Sequence, residues 1–109
     1  MVWLSCPYLG GSVELTEERE RHIRRRHSNV RMVDVSDALA DPGRVIRRPW
    51  RLGETLFAKE VDDRAGGTHI VVAVVTDEPH TDMDLPRHWV ATAYLAAALP
   101  DGLVIWERN

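Results

Sequence analysis

The rhythm of apolar and polar positions changes about a third of the way along the chain. Between residues 16 and 40 the spacing is helical. Thr16 is a good N-cap, and Glu17, Glu18 and Glu20 follow it where negative charge suits the helix dipole. Arg21, Arg24, Arg25 and Arg26 fill the second half, where positive charge is favoured, and Ser28 and Asn29 stop the helix after about His27. Val35, Ala38 and Leu39 recur at i, i+3 and i+4 and predict a short helix over 33–40, ended by Asp41-Pro42-Gly43.

Beyond Gly43 the rhythm is that of strands. Residues 44–48 alternate weakly and stop at Pro49, and 55–61 follow. An acidic turn at 62–67 leads into 68–76, where a β-branched run on both faces marks a central strand. A polar loop over 77–87 precedes a strand at 88–95. Residues 96–99 are expected to turn briefly helical before Pro100-Asp101-Gly102, and 103–106 make a last strand. At the other end, Pro7, Gly10 and Gly11 punctuate an irregular lead-in over 1–12, with a short strand at 13–15. Helices followed by closely connected strands predict one α+β domain over 1–109. It has two N-terminal helices packed on a four- to five-stranded antiparallel sheet.

Composition narrows the class. No apolar run approaches the length of a membrane span, and the start has no basic n-region before its few apolar residues, so neither a span nor a signal peptide is expected. Cys6 is the only cysteine, which forbids an internal disulfide and agrees with a cytoplasmic protein. The net charge of −3 argues against indiscriminate nucleic-acid binding. Its distribution says more. Residues 1–51 carry ten Arg and seven acids, whereas 52–109 carry four basic residues and ten acids. An Arg-rich surface on an otherwise acidic body would attract a phosphate backbone locally.

Three places carry candidate chemistry. In an extended strand His88, Val90, Thr92 and Tyr94 share one face, which sets an imidazole, a hydroxyl and a phenol in a row at about 7 Å spacing. On the first helix Ile23 marks the buried stripe. At about 100° per residue, Arg26 lies some 60° to one side of it with His22 beyond, and His27 lies about 40° to the other side. His22 and Arg26 are thus an i, i+4 pair with Arg19 close by. That pair reads either as a solvated basic face with a histidine at the helix end, or as an imidazole beside a guanidinium aimed at a phosphate. Lys59, the only lysine, sits in the strand over 55–61. It is an edge guard, or a phosphate ligand if its face is the one Thr92 uses.

Other chemistries fit poorly. The histidines lack a chelating spacing, His80, Asp82 and Asp84 sit in a loose acidic loop, and no metal site is expected. Cys6 stands beside a proline with nothing local to lower its pKa.

Taken in order, His22-Ile23 with Arg26-His27, Asp41-Pro42, Val45-Ile46, Phe57-x-Lys59, Val90-x-Thr92-Ala93-Tyr94 and Gly102-x-x-x-Trp106 resemble a known family. The chain is similar to the small nucleases grouped with barnase, EndoU, colicin-type tRNases and RelE-type toxins, in particular their phage and polymorphic-toxin branch. The resemblance spans residues 13–106. Leu56 and Phe57 stand where that family more often has a Tyr-Tyr pair, and the chain is acidic where many ribonucleases are basic.

The resemblance implies a barnase/RelE-like sheet whose concave face cleaves RNA, possibly tRNA, without metal or other cofactor. The cleavage would be a 2′-hydroxyl attack that leaves a 2′,3′-cyclic phosphate. It assigns catalytic roles to His22, Arg26, His27, Thr92 and Tyr94, and substrate binding to Lys59 and Arg19. It also implies a toxin-like protein with RNA as substrate and an antitoxin or immunity protein as partner. Which group takes the proton, and the oligomeric state, stay open. The alternative is an inactive module of the same fold that binds RNA or protein.

Overall fold

A computed structural model describes residues 1–64, 67–78 and 85–108, with the side chains of 62–64 and 67 also left aside. The acidic turn expected at 62–67 falls partly outside these residues, and His80, Asp82 and Asp84 wholly so.

Both expected helices are present. α1 (Glu17–Arg26) begins where Thr16 Oγ1 accepts the Arg19 N–H at 3.2 Å, and it ends at His27, whose N–H donates to the Ile23 carbonyl. Ile23 is the only residue α1 buries. α2 (Met32–Ala40) buries Val35, Ala38 and Leu39.

The sheet is larger than the sequence led us to expect. The strands β1 (Val2–Cys6), β2 (Gly11–Leu15), β3 (Arg44–Arg47), β4 (Glu54–Arg64), β5 (Gly67–Asp77), β6 (Arg87–Ala96) and β7 (Leu103–Glu107) form one sheet in the order β1-β2-β6-β5-β4-β3-β7. It has seven strands rather than four or five. It is also mixed, because β2 runs parallel to β6 through the pair Glu14 and Trp89. The expected irregular lead-in is instead a hairpin, with Val2 opposite Leu15 and Cys6 opposite Gly11. A 3-10 turn at Pro7–Leu9 makes the connection, and Gly10 closes it at φ 80°, a conformation that suits glycine. Pro7, Gly10 and Gly11 are the punctuation of that hairpin, not the absence of structure.

The two faces of the sheet differ. On one, α1 and α2 pack Ile23, Val35, Ala38 and Leu39 over Val13, Leu15, Phe57, Ile70, Val72 and Val74, all buried. The opposite face, here the open face, carries a smaller cluster of Ile46, Leu56, Ala58, Val71 and Ala73, with Tyr94 and Leu99 packed on it. β5 buries Val71 on one face and Val72 on the other, as its two-sided β-branched run predicts.

The open face is crossed by the link from β6 to β7. Four strand spacings separate these strands, about 19 Å. Residues 97–102 make the connection with bends at 97–98 and 101–102. No helical turn forms at 96–99; β6 itself runs on through Ala96. Leu99 pins the link to the open-face cluster. Gly102, at φ 150°, passes so close to β3 that a Cβ would stand 2.8 Å from the Arg47 carbonyl oxygen.

Among the described residues no helix is long and apolar enough to cross a membrane.

Candidate active site

A bulge in β6 decides which side chains face which way. Ala73 pairs with Thr92, but its neighbour Val74 pairs with Val90, so Ala91 is an extra residue. Strict alternation would put His88, Val90, Thr92 and Tyr94 in one row. The bulge breaks that row. Val90 is buried on the helix side, and His88 there shares a 2.7 Å hydrogen bond with Thr76. Thr92 and Tyr94, beyond the bulge, turn to the open face.

α1 supplies the next groups. β2 pairs with β6 only at Glu14 and Trp89, so the edge of β6 beyond that point is left for α1. Arg19 Nη1 donates to the carbonyl of the bulged Ala91 at 3.2 Å. One turn later come His22 and, at the helix end, His27. Their rings are 6.4 Å apart, and the His27 ring lies 6.1 Å from that of Tyr94. The rings of His22, His27 and Tyr94 thus follow one another, and Thr92 shares a face of β6 with Tyr94. Partial desolvation, then the positive charges of Arg19, His27, Arg26 and Arg25, hold the His22 pKa below the ordinary imidazole value. His22 is therefore neutral, and able to accept a proton, at neutral pH.

From the opposite side Arg48 reaches in, just past the end of β3. The register sets Arg47 opposite Thr55, so Arg48 follows onto the open face beside Glu54. Arg48 Nη2 donates to the Tyr94 hydroxyl at 3.3 Å, and its Nε stands 3.7 Å from Glu54 Oε1. The other Glu54 oxygen accepts from Arg51 Nη1 at 3.4 Å. Glu54 is 7% exposed.

Three buried side-chain atoms among the described residues lack a hydrogen-bond partner: Arg48 Nε, Glu54 Oε1 and Thr92 Oγ1. All three lie on the open face around Tyr94. Arg48 Nε and Glu54 Oε1 are the two halves of the 3.7 Å ion pair, which leaves Thr92 Oγ1 as the one of the three with neither a hydrogen bond nor a charge partner. An unpaired buried polar atom costs about 1–3 kcal/mol. The cluster is closed rather than cleft-like. The wider surface clefts lie elsewhere, one of them lined by Arg44, His69, Leu99 and Arg108.

The other residues singled out by sequence are placed apart. Lys59 is on the helix face opposite Ile70, 3.6 Å from Asp41 Oδ2, and does not share the face of Thr92. Arg26 is exposed beside His22 and contributes to its positive surroundings. Arg19 spends its guanidinium on Ala91 and Glu18, which makes it a brace for the bulge. Burial raises the Cys6 thiol pKa, which leaves it a poor nucleophile.

Sequence reasoning passed over Arg48 and Glu54. The available signal was the run from residue 44 to 54, where four arginines precede a single acid and Pro49 stops a strand just after Arg48.

Comparison with protein-family models, with curated proteins and with solved structures finds no match to this chain.

Proposed function

We propose that the chain is a small endoribonuclease of the barnase–EndoU–colicin–RelE type, working on the open face around Thr92 and Tyr94. The observation that carries this reading is the succession of the His22, His27 and Tyr94 rings, with the unpartnered Thr92 hydroxyl on the Tyr94 face of β6. The order of motifs along the chain supports it from a separate direction.

In this mechanism His22, neutral at pH 7, takes the proton from a ribose 2′-hydroxyl. The 2′-oxygen attacks the adjacent phosphorus, and the bond from phosphorus to the 5′-oxygen breaks. The leaving oxygen collects a proton from His27 or from Tyr94. The products are a 2′,3′-cyclic phosphate and a free 5′-hydroxyl. Thr92 Oγ1 donates to a non-bridging phosphate oxygen, and the positive field around His22 favours the extra negative charge of the transition state. An RNase of this kind has to be restrained in the cell that makes it, so an antitoxin or immunity protein is part of the proposal.

The test is incubation of the purified protein with total tRNA in EDTA. Cleavage to 2′,3′-cyclic phosphate ends that is lost in both His22→Ala and Thr92→Ala supports the reading. Intact RNA at high protein concentration, with no growth defect on induced expression, rejects it.

A further inference from the structure

The bulge in β6 decides what the open face carries, and a single side chain from α1 holds it. Val90 pairs with Val74 and Thr92 with Ala73, so Ala91 has no partner on β5. On the other edge β2 reaches β6 only at Trp89. The Ala91 carbonyl instead accepts a hydrogen bond from Arg19 Nη1 at 3.2 Å, 72 residues away in sequence.

We propose that Arg19 is a positioning residue. By holding the Ala91 bulge it keeps Thr92 and Tyr94 on the open face, whereas the resemblance would make it a substrate ligand. The effect on catalysis rests on the ribonuclease reading, and the hold on the bulge does not.

The part of β6 before the bulge has its own anchors. Arg87 Nε donates to the buried Glu14 at 2.8 Å, and Val90 is fully buried under the helices. Were the bulge smoothed out from that side, the register of Val90 with Val74 would simply continue. Thr92 would then fall opposite Val72, and Tyr94 opposite Ile70. Val72 and Ile70 both belong to the core on the helix face. A slip of one residue sends every side chain beyond it to the other face. Ala93 and Leu95 would take the open face, which would lose its hydroxyl and its phenol together.

Arg19 is built into α1 in a way that opposes this slip. Thr16 Oγ1 accepts the Arg19 N–H at 3.2 Å, which fixes the backbone of Arg19 in the first turn. Its guanidinium is engaged twice, by the Ala91 carbonyl and by Glu18 Oε1 at 3.3 Å. A bulge leaves one residue out of the ladder, and a charged donor satisfies the carbonyl so left over. A phosphate-binding arginine needs its fork free for the ligand.

Removing Ala91 separates the two roles. In a chain lacking Ala91, Val90 and Thr92 are consecutive, as are their partners Val74 and Ala73. The strand becomes regular, with Val90 and Thr92 still on their present faces, and Arg19 has no bulge to hold.

The experiment uses the full chain, with Arg19→Ala, Arg19→Lys, deletion of Ala91, and Arg19→Ala combined with that deletion. Cross-strand contacts in NMR spectra report the register without any cleavage. Wild type should show Thr92 against Ala73 alone. Arg19→Ala should add a second set with Thr92 against Val72, and Arg19→Lys should suppress it, because an ammonium can donate to the same carbonyl. Deleting Ala91 should remove the second set even without Arg19. In cleavage assays Arg19→Ala should lower kcat about tenfold, the scale of one charge-assisted hydrogen bond, and leave KM unchanged. In the chain lacking Ala91 the same substitution should leave kcat where the deletion sets it.

An Arg19→Ala spectrum with Thr92 opposite Ala73 alone overturns the proposal. So does a loss of cleavage that falls on KM, or one as large without Ala91 as with it, since Arg19 would then bind substrate. If the chain lacking Ala91 does not fold, the spectra of Arg19→Ala and Arg19→Lys decide. The two proposals fail separately. A register change in a protein that never cleaves RNA keeps the brace and rejects the nuclease, and cleavage with an unchanged register does the reverse.

Discussion

The ring of His27 lies 6.1 Å from that of Tyr94, so the last residue of the helix signal comes close to a side chain of β6. Arg48 holds the other end of the phenol. Two groups brought together from opposite sides of one ring should act as a unit. Tyr94→Phe removes the hydroxyl and leaves the ring in place, and it is expected to lower kcat by about a hundredfold, a loss in the range of general acid–base effects. His27→Ala should cost a similar factor, and the double variant less than the product of the two. Single-turnover rates for the three variants check this. Losses that simply multiply would show that the two rings work independently.

In the proposed mechanism the pH dependence of cleavage reports on His22. Its pKa is lowered, first by desolvation and then by Arg19, His27, Arg26 and Arg25. As the base it must be neutral, so the acid limb of kcat/KM should fall below the ordinary histidine range. Arg26→Glu, which reverses one of the lowering charges, should move that limb to higher pH. The same shift sets a sign for stability. The unfolded chain binds the proton more readily than the folded one. Stability is therefore full above the unfolded histidine pKa and is lost as pH falls through the lower folded value. Thermal melts of wild type and His22→Ala between pH 5 and 8 check this, and the variant should lose less stability on acidification.

Thr92 offers a test in which stability and activity part. Its hydroxyl is buried and has no partner. Thr92→Val keeps the shape and removes the unpaired polar atom, so the variant is expected to be more stable by about 1 kcal/mol. That corresponds to a rise in Tm of about 4 °C for a domain of this size. Cleavage should nevertheless fall at least tenfold, because a methyl group cannot donate to phosphate. A lower Tm would indicate that the hydroxyl has a stabilising role in the free protein.

What could be read from sequence followed how local the determining physics was. α1 is set by Thr16, the acids behind it and the arginines at its far end, all within one segment, and its limits were legible. The two-sided burial of β5 was legible from an unbroken β-branched run. Of the hairpin of β1 and β2 only residues 13–15 were legible as strand, because its strands are short and its turn residues read as punctuation. The bulge at Ala91 was not legible either. It depends on pairing with β5 and on the Arg19 guanidinium that takes up the Ala91 carbonyl, 72 residues away in sequence. Strict alternation kept Thr92 and Tyr94 together correctly but attached them to His88. Arg48 and Glu54 escaped notice because what marks them is a buried ion pair and a contact with Tyr94, 46 residues away from Arg48 in sequence, that only the folded sheet brings together.

In the proposed mechanism Lys59 and Arg48 compete for the role of the cation beside the phosphate. Lys59 has the resemblance of its motif. Arg48 has position, since it touches Tyr94 on the open face while Lys59 faces the helices and pairs with Asp41. The two substitutions should therefore differ in kind. Arg48→Ala removes a charge next to the reacting groups, and a loss of about a hundredfold in kcat is expected, comparable to removing one transition-state donor. It also leaves the buried Glu54 carboxylate facing Arg51 alone, so the variant should melt lower. Arg48→Lys restores charge but not the fork, and should recover only part of the rate. Lys59→Ala removes an ion pair that is about two-thirds or more outside the solvent on the lysine side but open on the Asp41 side, 28% against 62% exposed, and its effect on kcat should be at least tenfold smaller than that of Arg48→Ala. Measuring kcat for the two alanine variants in one preparation decides the matter. A larger loss for Lys59→Ala would return the site to the helix face and separate it from Thr92.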